Sequence, residues 1–274
     1  MNFKTIYRNI AAAATATAIA AGLGGCHSIE SWDNDYYGNF DALWTILDEH
    51  YCFFESKDID WNAIGQRYRA EIDTEWDNKT YFFHLAAMLD ELRDGHTNLI
   101  SWFNVSYYRK WWSDYPQNFN LRLIQEHYLD FDYYSGNGVI YKILEDRNVG
   151  YMYYGSFSQS FGDSFIDEML YSMRETDGLI IDVRDNGGGY LADMQEVLAP
   201  MLDTDLLIGY TRVKEGLGRL DYGPWVPCIL SPAENHRKVE APIVVLANLH
   251  SVSMSEMTCM AVSVLPNGCV VGER

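Results

Sequence analysis

The sequence predicts an α/β layered fold preceded by a small helical bundle, and two patterns carry that reading. From Val149 onward, short apolar runs of strand type alternate with stretches of helical periodicity, the rhythm of strands covered by helices. Upstream, three segments place apolar side chains at helical spacing with polar residues between them, as amphipathic helices packing on one another do.

Taken in order, residues 1–25 carry Lys4 and Arg8, then an alanine-rich apolar run from Ile10 to Leu23, and end in small residues. A basic start, a short apolar centre and small residues before cleavage describe a secretory signal. The run is too short and too rich in Thr and Gly to read as a membrane span. Leu23-Gly24-Gly25-Cys26 also resembles the bacterial lipobox, which implies acylation of Cys26 and a chain anchored to the outer membrane of a cell envelope, facing the periplasm or the outside. Residues 26–36 then read as an acidic tether. Helical spacing follows at Phe40, Leu43, Trp44, Leu47 and Tyr51, at Trp61, Ile64, Tyr68 and Ile72, and at Phe82, Leu85, Ala86, Leu89 and Leu92, giving a bundle over residues 37–100. His84, one turn from Met88, reads as a packing residue.

Residues 101–148 are aromatic-rich and irregular, with Tyr107, Tyr108, Trp111, Trp112, Tyr133 and Tyr134 standing out. Two readings stand: the core of short strands, or the walls of a peptide-binding groove, since aromatics supply large contact area. The α/β unit, 149–274, is predicted as strand Val149–Tyr154, helix near Phe161–Arg174, strand Gly178–Val183, helix Leu191–Leu202, strand Leu206–Val213, strand Ile243–Ala247, helix Ser253–Leu265 and strand Cys269–Val271. Lys214–Glu240, with its glycines and prolines, reads as an irregular surface excursion.

The formal charge is −19; removing residues 1–25 takes away Lys4 and Arg8 and no acid, which moves it to −21. That excludes nucleic acid as a partner and disfavours adhesion to anionic lipid. The cysteines Cys52, Cys228, Cys259 and Cys269 lack paired metal-ligand spacing, and no metal or other cofactor is expected.

Two turns carry chemistry. Ile243–Ala247 breaks at Asn248-Leu249-His250, and Ser251, Ser253 and Ser255 open the next helix. A serine there lies beside free backbone N–H groups and the positive end of the helix, which suits a nucleophile; it is equally the favoured capping residue. The second turn, Arg184-Asp185-Asn186-Gly187-Gly188-Gly189, joins an apolar strand to a helix. Glycines here allow a tight turn or the close approach of a bare N–H. The chain lacks both the P-loop pattern and G-x-G-x-x-G, so a nucleotide is disfavoured.

These segments together resemble the tail-specific, or C-terminal-processing, serine peptidases. Asp182, Arg184, Asn186, Gly188 and Gly189 match the family's Asp-x-Arg-x-Asn-x-Gly-Gly; Ser251, Ser253, Ser255 and Glu256 match Ser-x-Ser-x-Ser-Glu; Asn267-Gly268 and Val271-Gly272-Glu273 match its later elements. Asp94-Gly95-His96-Thr97 resembles the motif of the tricorn-core-like branch. The resemblance covers about Tyr36 to Arg274 and implies a crotonase- or Clp-protease-like β-superhelix, a polypeptide substrate and no PDZ module. It implies Ser253 as nucleophile, the N–H groups of Met254 and Gly189 as oxyanion donors, and structural roles for Ser251, Ser255 and Glu256. For the base it implies His96; His250, three residues before Ser253, is the rival. The processing branch instead uses a lysine after the Val-x-Gly-Glu element, where the sequence given ends, and the tricorn-like branch adds a glutamate that would also follow Arg274. The expectation is therefore an envelope serine peptidase, with an impaired peptide-binding lipoprotein of the same fold, or a Ser-Lys enzyme, as alternatives.

Overall fold

The computed structural model describes residues 32–136, 138–160, 162–234 and 239–273. The signal segment, Cys26 and most of the tether lie outside the described residues. Helices α1 (Tyr36–His50), α2 (Trp61–Ala70) and α3 (Asn78–Asp90) form the bundle. Each begins on an aspartate, Asp35, Asp60 and Asp77, whose carboxylate accepts the N–H of Gly38, Ala63 and Thr80 respectively. Such a cap satisfies an otherwise orphaned donor and favours the helix dipole. Their shared core holds Phe40, Leu47, Trp61, Leu85, Met88 and Leu89, the residues that the spacing assigned inward, with Met88 added. His84 packs between Tyr68 and Trp76, its Nε2 2.8 Å from the Tyr68 carbonyl oxygen.

The aromatic-rich segment is less irregular than its sequence suggests. It holds short helices α4 (Lys110–Ser113) and α5 (Leu121–His127) and strands β1 (Tyr134–Gly136) and β2 (Val139–Leu144). Then come β3 (Val149–Tyr154), α6 (Asp163–Ser172), β4 (Gly178–Asp182), α7 (Leu191–Leu198), β5 (Leu206–Thr211), β6 (Val226–Leu230), β7 (Ile243–Ala247), α8 (Met254–Ser263) and β8 (Gly268–Gly272). The main sheet runs β1-β2-β3-β4-β7-β8, antiparallel across β1–β3 and parallel from β3 to β8. It therefore begins at Tyr134 rather than Val149.

Side chains alternate across the sheet as a strand's two-residue period requires. Val139, Tyr141, Met152, Tyr154, Leu179, Ile181, Ile243 and Val245 face α6, α7 and α8 in the main core. Ile140, Tyr151 and Tyr153 face the other way, onto Leu129 and the half-buried Phe119 and Ile124. The α7 helix stops earlier than its periodicity predicts, because Pro200 turns residues Ala199–Met201 into a 3₁₀ turn.

Lys214–Glu240 also departs from the expectation. It contains β6, which pairs with β5 as a separate antiparallel ribbon. The ribbon's far end lands on the bundle, where Arg219 pairs with Asp48 and donates to Asn62 Oδ1 at 2.7 Å, and the Tyr222 hydroxyl donates to the Cys52 carbonyl at 2.7 Å. Among the described residues no helix is long and apolar enough to cross a membrane.

Candidate active site

Parallel neighbours β4 and β7 end side by side, and the two turns singled out in the sequence leave the sheet there. Asp182, the last residue of β4, is fully buried. Its Oδ1 accepts the Arg184 backbone N–H at 3.1 Å and Nε at 2.8 Å, while Oδ2 accepts the Tyr151 hydroxyl at 2.8 Å and Arg184 Nη2 at 2.5 Å. The guanidinium also lies 4.5 Å above the Phe119 ring. Burial, then the adjoining Asp182 charge, holds the Tyr151 phenol far above its ordinary range.

Asn186 ties the glycine turn to its surroundings. Buried, it donates Nδ2 to the Tyr154 carbonyl at 2.6 Å and accepts the Gly188 N–H on Oδ1 at 2.8 Å. Its own carbonyl receives the Val252 N–H at 3.0 Å and the Ser255 hydroxyl at 2.8 Å. Asn248 does the same from the other turn: Oδ1 accepts the N–H groups of Asp185 and His250, and Nδ2 donates to Asp185 Oδ1 at 2.7 Å and Asn118 Oδ1 at 2.9 Å. Ser251 donates to the Val183 carbonyl at 2.7 Å. Ser251 and Ser255 thus stitch one turn to the other.

Ser253 stands apart from both. It is half-buried, its hydroxyl donates to no group among the described residues, and its backbone sits at φ 60°, ψ −113°, a strained conformation for a residue with a Cβ. A sharp strand-to-helix turn of this kind raises a side chain clear of the backbone. The Glu256 carboxylate holds the turn by accepting the Ser253 N–H at 2.6 Å.

Two N–H groups nearby are uncommitted. Phe157 bridges to Gly189 through Phe157 N–H to Gly188 O at 2.9 Å and Tyr190 N–H to Phe157 O at 2.5 Å, which leaves the Gly189 N–H unused. The Met254 N–H opens α8. Neither has a hydrogen-bond partner among the described residues. Gly188, to which the sequence assigned only a motif match, is the glycine that touches the serine. At φ +88°, a Cβ there would lie 2.7 Å from Ser253 Cβ and 2.9 Å from the Met254 nitrogen.

The two histidines differ sharply. His250 is 1% exposed and stacked on Trp112 at 4.1 Å. Its Nε2 lies 3.0 Å from the Trp112 carbonyl, and Nδ1 lies 3.3 Å from both Gln117 Nε2 and Asp185 Oδ1. Both ring nitrogens are taken up by neighbours, so the ring is committed to packing. His96 is exposed; its N–H donates to Asp94 Oδ1 at 2.9 Å and its Nδ1 lies 3.4 Å from the same oxygen. No hydrogen bond joins Ser253 to either histidine among the described residues. Contacts do run between the turns: Gly95 lies against the Trp111 indole, Trp111 meets Trp112 edge-on, and Trp112 covers His250.

The sheet's opposite end holds a depression of about 680 Å³ lined by Met173, Arg174, Asp177, Leu179 and Glu240. It contains no hydroxyl raised on a strained turn and no paired free amides, and we assign it no chemistry. Among the described residues no cluster of His, Cys, Asp and Glu could hold a metal ion.

A serine on a strained strand-to-helix turn, beside two free amides from different turns, defines a serine-type acyl hydrolase. The model of peptidase family S41 matches residues 148–274, and that of the tricorn protease C1 domain matches 33–89. A crystal structure of a candidate peptidase from Parabacteroides merdae is 40% identical over 89% of this chain and 75% of its own, with a TM-score of 0.78. The chain belongs to peptidase family S41, a serine-type peptidase acting on polypeptide. Mature CPAF, at 10% identity over 87% of this chain and 82% of its own, shares the fold with a TM-score of 0.57. So does the photosystem II D1 C-terminal processing protease, at 13% identity, 88% and 81% coverage and a TM-score of 0.50. No curated protein matches the chain.

Proposed function

We propose that the chain is an envelope peptidase in which Ser253 attacks the scissile carbonyl and His96 accepts its proton. The carbonyl oxygen, as it becomes an oxyanion, is held by the N–H groups of Met254 and Gly189. The observation that carries the reading is the Ser253 hydroxyl, which caps its helix as an acceptor but donates to no group among the described residues, on a strained turn beside two backbone donors with no partner there. Each such donor is worth about 100- to 1,000-fold in rate. His250 makes a poor base because its ring is buried and committed; His96 is exposed, and the tryptophan contacts link its turn to the serine's. Acyl chains on Cys26, followed by residues 26–36, would tether the enzyme to the outer membrane; the signal-like composition of residues 1–25 supports this.

A fluorophosphonate probe tests the assignment on the full chain. It should label the protein, lose its target in Ser253→Ala, and react far more slowly with His96→Ala. Labelling that persists on Ser251 in Ser253→Ala overturns the nucleophile. A chain that takes no label and cleaves no polypeptide is the impaired binding protein. Growth with radiolabelled palmitate, comparing wild type with Cys26→Ser, tests the anchor separately.

A further inference from the structure

We propose that the β5–β6 ribbon is a strap that sets the spacing between the two halves of the catalytic site, with Arg219 at its tip as the positioning residue. The inference rests on His96 being the base. Ser253 opens α8 in the α/β unit, whereas His96 follows the last helix of the bundle, so proton transfer requires the two units to be held at one separation. A base must come within about 2.6–3.2 Å of the hydroxyl it serves.

What holds them is not a common core. The apolar residues of the bundle and those of the α/β unit form separate clusters. The tryptophan contacts from the His96 turn to His250 are one link. The ribbon is another, and it is fixed to both units. At its root, Ile208 of β5 and Leu230 of β6 are buried in the main core with Ala261 and Val262 of α8. Gly209 lies so close to α8 that a Cβ there would stand 3.3 Å from Met260 Cε. The root therefore rests on the helix that Ser253 begins.

The tip is built to keep its shape. Lys214 and Tyr222 form a β-bridge, the Glu215 N–H donates to the Asp221 carbonyl at 2.9 Å, and the Gly218 N–H donates to Asp221 Oδ2 at 2.8 Å. The Arg212 guanidinium lies 4.0 Å from the centre of the Tyr222 ring. From this loop Arg219 reaches the bundle. Its Nε donates to Asp48 Oδ1 at 2.5 Å, near the end of α1, and its Nη2 donates to Asn62 Oδ1 at 2.7 Å, at the start of α2. The same guanidinium lies 5.4 Å from the Phe54 ring centre, and the Tyr222 hydroxyl adds its bond to the Cys52 carbonyl. A planar fork of donors can serve two helices and a ring at once, which an ammonium group cannot.

The segment that the strap grips, residues 48–62, is the one that carries the His96 turn. Within it the Tyr51 hydroxyl donates to Asp94 Oδ2 at 2.8 Å, and Lys57 Nζ donates to the Leu92 and Arg93 carbonyls at 3.0 and 3.1 Å. Arg93 Nη2 donates back to the Lys57 carbonyl at 2.6 Å. A continuous set of contacts thus runs from α8 through the ribbon and residues 48–62 to His96. A depression of about 380 Å³ beside the clasp, bordered by Tyr51, Phe54, Arg219 and Tyr222, separates the rest of the two surfaces. The junction is therefore made by polar bonds and a cation–ring contact rather than by close packing, and removing Arg219 frees the bundle to shift against the core.

Acylation of the full chain by a fluorophosphonate probe reads the spacing. Arg219→Ala should lower the limiting rate about 10- to 100-fold, the cost of displacing reacting groups by up to about 1 Å, with the half-saturating probe concentration within about twofold of wild type. Arg219→Lys, which keeps the charge but not the fork, should recover part of the loss. Tyr222→Phe, a milder change that removes one bond, should slow acylation about three- to tenfold. A ribbon that only stabilised the fold would slow acylation whether or not a base is present. In a His96→Ala background no base remains to be positioned, so adding Arg219→Ala should change the residual rate by less than about threefold. A rate within about threefold of wild type in Arg219→Ala, or an equal fold-loss in both backgrounds, overturns the proposal. Should His96→Ala acylate at the wild-type rate, the base assignment falls and the strap's role falls with it; a slow His96→Ala beside a fast Arg219→Ala overturns the strap alone.

Discussion

Gly188→Ala is the perturbation whose consequences the structure lets us work out most fully. Gly188 sits at φ +88°, where a Cβ would stand 2.7 Å from both Ser253 Cβ and the Val252 carbonyl and 2.9 Å from the Met254 nitrogen. Two of those three atoms belong to backbone, so no rotamer change relieves the clash. A left-handed backbone costs a residue with a Cβ about 1–2 kcal/mol, and forcing a methyl into a packed contact costs about 1–3 kcal/mol. Together that is about 2–5 kcal/mol. At about 2–4 °C per kcal/mol for a chain of this size, the melting temperature should fall by about ten degrees.

Restoring ordinary contact, 3.4 Å or more, moves the serine turn by roughly 0.7 Å. Displacements near 1 Å at a reacting centre cost about 100-fold, so acylation should slow about 10- to 100-fold. Thermal unfolding by circular dichroism and probe labelling measure the two effects on one sample. Gly187→Ala, whose added methyl would meet nothing within 4 Å, is the control and should change stability by less than about 0.5 kcal/mol. A Gly188→Ala protein that melts with wild type and labels within about twofold of it would refute the close approach.

Two other outcomes follow from side chains described above. Asp182→Ala strips the partner from the half-buried Arg184 and from the Tyr151 hydroxyl, and should cost about 3–5 kcal/mol in urea titration; a loss under about 1 kcal/mol would mean that water reaches the pair. Cys259, on α8, has its thiol pushed up to about 11 by burial, whereas Cys52 and Cys269 are exposed. Iodoacetamide at about pH 8 should therefore modify Cys52 and Cys269 and spare Cys259 until denaturant is added, as read by peptide mass mapping.

Much of the architecture was legible because its signals are periodic. The bounds of β3 and β7 coincide with their apolar runs, and the three bundle helices bury the residues their spacing assigns inward. What escaped was short or aromatic. The β1–β2 hairpin was hidden by its tyrosines, although Gly136-Asn137-Gly138 between two strand-like runs is a strong hairpin signal. Pro227 made β6 look irregular; it is tolerated because a two-stranded ribbon consists only of edges. Helices of four and seven residues, α4 and α5, are too brief for a period to show.

At the site, the turns, their serines and their glycines could be read directly. The outer partners of Asn248 and His250 could not, because they come from Trp112, Gln117 and Asn118, far away in sequence. Nor could a motif distinguish Gly188, which touches the serine, from Gly189, whose amide is free.

The pairing of β4 with β7 has a consequence for how the enzyme comes into being. The two strands are adjacent, yet the whole of residues 183–242 separates them along the chain. Closing so long a loop is entropically slow and comes late in folding. Until it closes, the serine turn and the glycine turn belong to different parts of a floppy polymer, and a half-made molecule has no means of cutting its neighbours. Cleaving power therefore cannot precede this long-range contact.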